Sequence, residues 1–231
     1  MPNLYIIPSL LAEDGAAHVP VIVKDKVKSL DTFIVERTRT ARRYIRTLIP
    51  DFDIDGSKFY ELDKHDGLAA QAMINDVLKS THDVGLISEA GTPCIADPGA
   101  MVVHLARRAS YVICPLSGPS SITLALMASG MNGQEFTFNG YLPIKEPGLG
   151  HKLSQISSRA LEGITQLFIE TPYRNDKLLQ QIKKHVDPSL FVSISIDLTS
   201  VNETHHIIKA ANTDKLTIGK RPAIYCIGRL Q

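Results

Sequence analysis

The run Ser88 to Gly99 reads Ser-Glu-Ala-Gly-Thr-Pro-Cys-Ile-Ala-Asp-Pro-Gly, the composition of a loop that holds a ligand on its backbone. Gly91 permits close approach because it carries no Cβ, and Pro93 fixes the chain while removing a donor. Asp97 and Pro98 read as the N-cap and first residue of a following helix. The same features equally make a strand-to-helix connection that binds nothing. A second run, Ser117-Gly-Pro-Ser-Ser-Ile122, puts two hydroxyls in succession. One suffices to cap a helix, which leaves the other for a ligand carboxylate. Neither loop contains G-x-G-x-x-G or G-x-x-x-x-G-K-[ST], which argues against a dinucleotide cradle of the nicotinamide type and against a P-loop.

A third cluster is cationic. Arg37, Arg39, Arg42, Arg43 and Arg46 follow one another closely. In a helix over Thr38–Leu48, Arg39, Arg42, Arg43 and Arg46 share one face, and Ala41, Ile45 and Leu48 point to the other. Guanidinium groups on one face suit phosphates, which they grip bidentately. A solvated face, or pairing with carboxylates across a dimer, accounts for the same pattern. No metal site is expected: His205 and His206 are adjacent in a strand-like run and point to opposite faces, and the other histidines are scattered.

These residues need elements to position them. Leu4–Ile7, Thr32–Val35, Val84–Ile87 and Tyr111–Cys114 are short apolar runs of strand type. Thr38–Leu48, Gly67–Leu78 and Ala100–Arg107 between them show helical spacing, so the first half reads as βα units on a mainly parallel sheet. In the second half Phe136–Phe138, Gln166–Ile169, Leu190–Ile196, Thr204–Ile208 and Ala223–Ile227 are strand-like, with helices at Ser120–Ala128, His151–Leu161 and Tyr173–His185. Successive strands without a helix between them near the C-terminus predict a mixed sheet with antiparallel pairs. Two αβα lobes result, residues 1–116 and 117–231, divided near Pro115–Pro119. On this reading the first loop follows the carboxyl end of a parallel strand, where open α/β sheets bind ligands.

Composition sets the outer bounds. The 231 residues are 44% hydrophobic and 21% charged with a net charge of +1, an ordinary globular balance. That balance excludes a generic polycation for nucleic acid but allows a local basic patch. No apolar run is long enough for a membrane span, and the N-terminus lacks the pattern of a secretory signal. Cys94, Cys114 and Cys226 form no CxxC pair, so a reducing cytoplasm fits.

Five motifs in order resemble the tetrapyrrole methylase superfamily, the class III methyltransferases, and within it the family of ribosomal RNA small subunit methyltransferase I. They are Glu36-Arg-Thr-Arg-Thr-Ala-Arg42, Ile87 to Gly99, Pro115 to Ser121, Phe138-Asn-Gly-Tyr-Leu-Pro-Ile-Lys145 and Phe168-Ile-Glu-Thr-Pro-Tyr-Arg174. The resemblance implies S-adenosylmethionine as methyl donor, folded into a cleft between two αβα lobes, usually in a homodimer. It implies donor contacts at Pro8, at Gly91, Thr92, Pro93 and Ile95, and at Ser120, Ser121 and Ile122. In the second lobe Phe168, Ile196, Pro222, Ala223 and Ile224 would wrap the adenine. The family's acceptor is a cytidine ribose 2′-hydroxyl of 16S RNA.

Three departures fall on the acceptor side. Pro8-Ser-Leu-Leu-Ala-Glu-Asp-Gly15 stands where the family has Thr-Pro-Ile-Gly-Asn-Leu-Glu-Asp, and His18 to Lys24 does not resemble the helix expected next. Glu36-Arg-Thr-Arg39 replaces Glu-Asp-Thr-Arg, and Asp197-Leu-Thr-Ser200 replaces Glu-Leu-Thr-Lys. Methyl transfer from a sulfonium needs alignment above all, plus a group to accept or steady a proton. Glu36, Lys145 and Glu170, each just after a strand, are the catalytic candidates, and solvated side chains or weak ion pairs are the alternative for each. The acceptor stays open between RNA, a tetrapyrrole or other small molecule, and none at all, as in a donor-binding ribosome-associated protein without turnover.

Overall fold

The computed structural model describes residues 1–62 and 67–230. The chain divides into two compact units, Met1–Ser120 and Ser121–Gln231.

The first unit runs β1 (Asn3–Ile7), α1 (Val21–Lys28), β2 (Thr32–Val35), α2 (Thr38–Leu48), β3 (Lys58–Glu61), α3 (Gly67–Leu78), β4 (Val84–Ile87), α4 (Ala100–Arg108) and β5 (Val112–Pro115). Its sheet has the order β3-β2-β4-β1-β5 and every pair is parallel. All residues of β2 and β4 are buried, as continuous apolar runs covered on both faces should be. Ile7, Phe33, Val35 and Ile87 pack with α1 and α2, whereas Leu4, Ile34, Val84 and Leu86 pack with α3 and α4 on the opposite face. The chain therefore leaves β1 over one face and leaves the adjacent β4 over the other. That is a topological switch point, where the two departing loops splay and open a crevice at the carboxyl ends of the strands.

Two elements lie outside the sequence pattern, and one expected helix cap is not formed. His18–Lys24 does not resemble the family's next helix in sequence, yet a helix, α1, does begin at Val21. Its β-branched start weakens propensity, but Pro20 stands at the N-cap and Val23 and Val27, one turn apart, are fully buried. The short strand β3 escaped the sequence pattern because it is an edge of four residues with Lys58 and Glu61 exposed. Asp97 does not cap α4: Gly99 occupies the N-cap, with no side-chain cap bond. Asp97 instead lies near Cys94, whose thiol is pushed up by burial and by that carboxylate.

The second unit runs α5 (Ser121–Ser129), β6 (Phe136–Tyr141), α6 (Gly148–Leu161), β7 (Thr165–Glu170), α7 (Asn175–His185), β8 (Phe191–Ile196), β9 (Thr204–Lys209) and β10 (Ala223–Gly228). Its sheet order is β6-β7-β10-β8-β9. Only β6 and β7 are parallel; the other three pairings are antiparallel. The mixed sheet expected from sequence is what forms. Helix α7 starts later than the periodicity suggests, because Pro172–Arg174 makes a separate 3-10 turn. Helices α6 and α7 bury Leu153, Ile156, Leu179 and Ile182 against Phe168, Ile194 and Tyr225, and α5 packs on β8 and β10. Phe168 and Tyr225 stack at 5.3 Å between ring centroids, and both are fully buried. Phe168→Ala should therefore cost about 3–5 kcal/mol of stability, measured by denaturant unfolding.

Candidate functional site

Strands β4, β1 and β5 are neighbours, so the segments that follow them meet at one edge of the first sheet. Hydrogen bonds lace these segments together. The Ser9 amide donates to the Gly91 carbonyl at 2.8 Å, and the Gly91 amide donates to the Leu10 carbonyl at 3.3 Å. The Thr92 hydroxyl donates to the Pro119 carbonyl at 3.3 Å. Tyr44, from α2, donates its hydroxyl to the Pro8 carbonyl. Burial pushes that phenol far up, so it keeps its proton and remains a donor.

Two glycines set how closely the segments approach. A Cβ at Gly118 would lie 2.3 Å from Pro8 Cγ, inside contact distance. Gly91 has φ +67°, and a Cβ there would come 2.9 Å from Leu11 Cδ2 and 3.5 Å from the Pro119 carbonyl. Cys94 (φ 71°) and Ala96 (φ 63°) extend the left-handed run through the loop. Non-glycine residues in that region cost on the order of 1–3 kcal/mol each and cluster where ligands are gripped. Pro8, Gly91 and Pro93 are buried; Thr92, Ser120, Ser121 and Ile122 are half-buried; Ile95 is exposed. Sequence reading had found these loops but not Leu11, Tyr44 and Pro119, which shape them through contacts distant in sequence.

Glu36 ends β2 and is buried, and its Oε2 accepts the Glu89 amide at 2.9 Å. Glu89 is also held from α2: its Oε1 accepts the Thr40 hydroxyl at 2.9 Å, and Arg37 stands 3.6 Å from Oε2. Glu36 thus anchors the start of the Ser88–Gly99 loop. Glu36→Gln, which keeps an acceptor oxygen, should bind donor as the parent does. Glu36→Ala leaves the half-buried Glu89 amide without this acceptor, and should lose about 1 kcal/mol of stability with weakened donor binding; equal calorimetric affinities in the two variants would contradict this anchoring role.

The arginine face forms as the spacing predicts. Arg39, Arg42, Arg43 and Arg46 line one open groove of about 800 Å³ with Thr38, Thr47 and Glu61, while Ala41, Tyr44, Ile45 and Leu48 are buried beneath. Glu61 caps α2 by accepting the Thr38 amide at 2.7 Å, and that bond is the main reason its carboxyl is held below the usual range. Arg42 pairs with Asp55 at 2.6 Å and Arg43 with Glu13 at 3.1 Å. Both carboxylates are more than four-fifths exposed, so these pairs are weak and readily exchanged. Among the described residues, Arg39 and Arg46 have no ion-pair partner.

In the second unit, register brings Glu170, Ala223 and Ile196 into one row across β7, β10 and β8, with Pro222 just outside it. Phe168 lies two residues deeper and faces Tyr225. Phe168, Ile196 and Ile224 are buried, and Pro222 and Ala223 are the more open positions of that set. The Glu170 carboxylate is buried: Oε1 accepts the Thr171 amide at 2.6 Å and Oε2 pairs with Arg174 at 2.9 Å. Lys145 is exposed on the segment after β6. Asp197 and Thr199, just after β8, have φ 49° and 71°, and Asp197 pairs with Arg221 at 2.6 Å.

The model of the family described as Tetrapyrrole (Corrin/Porphyrin) Methylases matches residues 15–213. Ribosomal RNA small subunit methyltransferase I of Vibrio cholerae is 32% identical over 88% of this chain and 67% of its own length. The protein of that name from Escherichia coli O157:H7 is 29% identical, covering 88% and 68%. The one from Xylella fastidiosa is 30% identical, covering 70% and 58%. The crystal structure of the methyltransferase CobJ superposes with a TM-score of 0.67 at 13% identity, covering 99% of this chain and 95% of that one, which speaks to the fold. Parallel and mixed αβα units, loops gathered at a switch point and a family match over most of the sequence agree: the chain belongs to the tetrapyrrole methylases and is an S-adenosylmethionine-dependent methyltransferase.

Proposed function

We propose that this methyltransferase acts on RNA of the small ribosomal subunit, at a ribose hydroxyl or a base. The observation that carries the reading is the groove of four arginines on α2, whose first turn is tied through Arg37, Thr40 and Glu36 to the Glu89 end of the donor loop. Phosphate contacts from such a face fix the register of a nucleic acid, and chemistry is then aimed by whatever lies beside it. The names of the relatives point to the same substrate class.

The donor supplies an electrophilic methyl carbon on a sulfonium. The residues present suit it: Pro8, Pro93 and Ile95 give apolar surface, Ser120 and Ser121 add half-buried hydroxyls, and Gly91, at φ +67° and packed on Leu11, sets the shape of the loop. We assign the donor contacts to Pro8, Gly91, Thr92, Pro93, Ile95, Ser120, Ser121 and Ile122. Lys145, the exposed member of the catalytic candidates, steadies the acceptor oxygen as it loses its proton. Glu36 and Glu170 are positioning residues, since the first holds a loop and the second is neutralised by Arg174. The same reading places a homodimer in the cytoplasm. Among the described residues no helix is long and apolar enough to cross a membrane.

Nucleosides from small-subunit RNA of a strain with and without the gene, compared by mass spectrometry, should differ by one methylated species. Identical profiles would count against the proposal.

A further inference from the structure

A second surface, in the other unit, has the chemistry of a base-stacking platform. Strands β6 and β7 run parallel with Tyr141 opposite Ile169, so the segments that follow them leave the same edge of the sheet side by side. They touch there: Arg174 donates to the Pro143 carbonyl at 3.3 Å. Strand β10 runs antiparallel to β7 with Ala223 opposite Glu170, which brings Lys220 to that edge as well. The Lys220 ammonium lies 5.4 Å from the Tyr173 ring centroid.

What this edge exposes is unusual for a molecule with few aromatics. Tyr173 is 78% exposed, Ile144 69% and Tyr141 62%. Single exposed apolar residues are ordinary, but a cluster on adjoining loops is a mark of an interaction surface. The neighbouring carboxylates are already engaged. Glu170 pairs with Arg174, and Glu146 accepts the Gly150 amide at 3.0 Å with His185 at 3.5 Å. Asp176 accepts the Ile218 amide at 2.8 Å. Lys145 and Lys220 are exposed, and among the described residues neither has an ion-pair partner.

We propose that Tyr141 and Tyr173 stack unpaired RNA bases, with Lys220 taking a flanking phosphate. Exposed aromatic faces beside cations are what single-stranded nucleic acid needs, and a duplex, whose bases already stack on one another, gains nothing from them. Lys220 over one face of Tyr173 leaves the other for a base, and its ammonium stands beside the ring where that base's phosphate would pass. The platform deepens the RNA reading and rests on it. It divides recognition between a phosphate-gripping face in the first unit and a base-reading edge in the second.

The test uses the full chain and fluorescein-labelled oligouridylate against a blunt RNA duplex of equal length, read by anisotropy. Tyr173→Ala and Tyr141→Ala should each weaken oligouridylate binding roughly ten-fold, and together more, with duplex binding unchanged; stacking losses of this size are usual. Tyr→Phe at either site should restore binding, because the ring and not the hydroxyl is used. Lys220→Ala should lower the salt dependence by about one counterion. Donor affinity, measured in parallel, should stay constant in the tyrosine variants. Unchanged oligouridylate binding in the double alanine variant of a chain that binds and methylates RNA would overturn the platform and leave the RNA reading standing. A parent chain that neither binds nor methylates any RNA would overturn both. A change in oligomeric state at unchanged RNA affinity would reassign the patch to self-association.

Discussion

Gly91→Val should abolish S-adenosylmethionine binding while leaving the chain folded. A valine at φ +67° sits in the left-handed region, which costs on the order of 1–2 kcal/mol for an ordinary residue and more for a β-branched one. Its Cβ would press on Leu11, a flexible side chain that can turn aside, and would stand at ordinary contact distance from the Pro119 carbonyl. A loss of this size is a fraction of the roughly 5–15 kcal/mol that holds a domain together. The loop, however, hangs on the paired bonds between Ser9, Leu10 and Gly91. Branches at Gly91 must displace Leu11 or break that pairing, and either change reshapes the loop. Titration calorimetry should find no donor binding in the valine variant, with Gly91→Ala intermediate, and thermal unfolding should remain cooperative. Parent-like affinity in the valine variant would mean that the loop does something else.

The second large effect is on RNA. Arg39 and Arg46 are seven residues apart on α2, about 10.5 Å along the axis at 1.5 Å per residue. Arg42 and Arg43, between them, are partnered by Asp55 and Glu13. Replacing Arg39 and Arg46 together by alanine should weaken binding to small-subunit RNA roughly 100-fold, since each charge-assisted contact contributes about 1.5 kcal/mol or more. The slope of log affinity against log salt should also fall by about two. Asp55→Ala with Glu13→Ala should do the reverse, freeing two guanidinium groups and raising affinity. Donor binding should stay the same throughout. An unchanged salt slope in the double arginine variant would remove α2 from the RNA interface.

Much of this was legible in the sequence, for identifiable reasons. The buried strands β2 and β4 are short, mostly apolar runs, Thr32 being the one polar residue, and α2 advertises itself by arginines on one face and Ala41, Ile45 and Leu48 on the other. Helix α1 was hidden because Val21, Ile22 and Val23 favour strands locally, and only burial of Val23 and Val27 against the first sheet decides for a helix. The donor loops were visible as glycine and proline punctuation. What they touch was not, since Leu11 against Gly91 and Tyr44 on the Pro8 carbonyl join residues through the fold rather than the chain. Phe168 was visible as part of a motif, but its stacking on Tyr225 follows from the antiparallel pairing of β7 and β10 and not from the local sequence. The exposed pair Tyr141 and Tyr173 is far apart in sequence and became a cluster only through the parallel pairing of β6 and β7.

Purified chain, methyl-labelled S-adenosylmethionine and small ribosomal subunits from a strain lacking the gene give the most direct test of the whole account. Label should enter the RNA of those subunits, should not enter subunits already modified by the intact strain, and should fall away in the Gly91→Val chain. Tight donor binding with no label transferred to any RNA would contradict it.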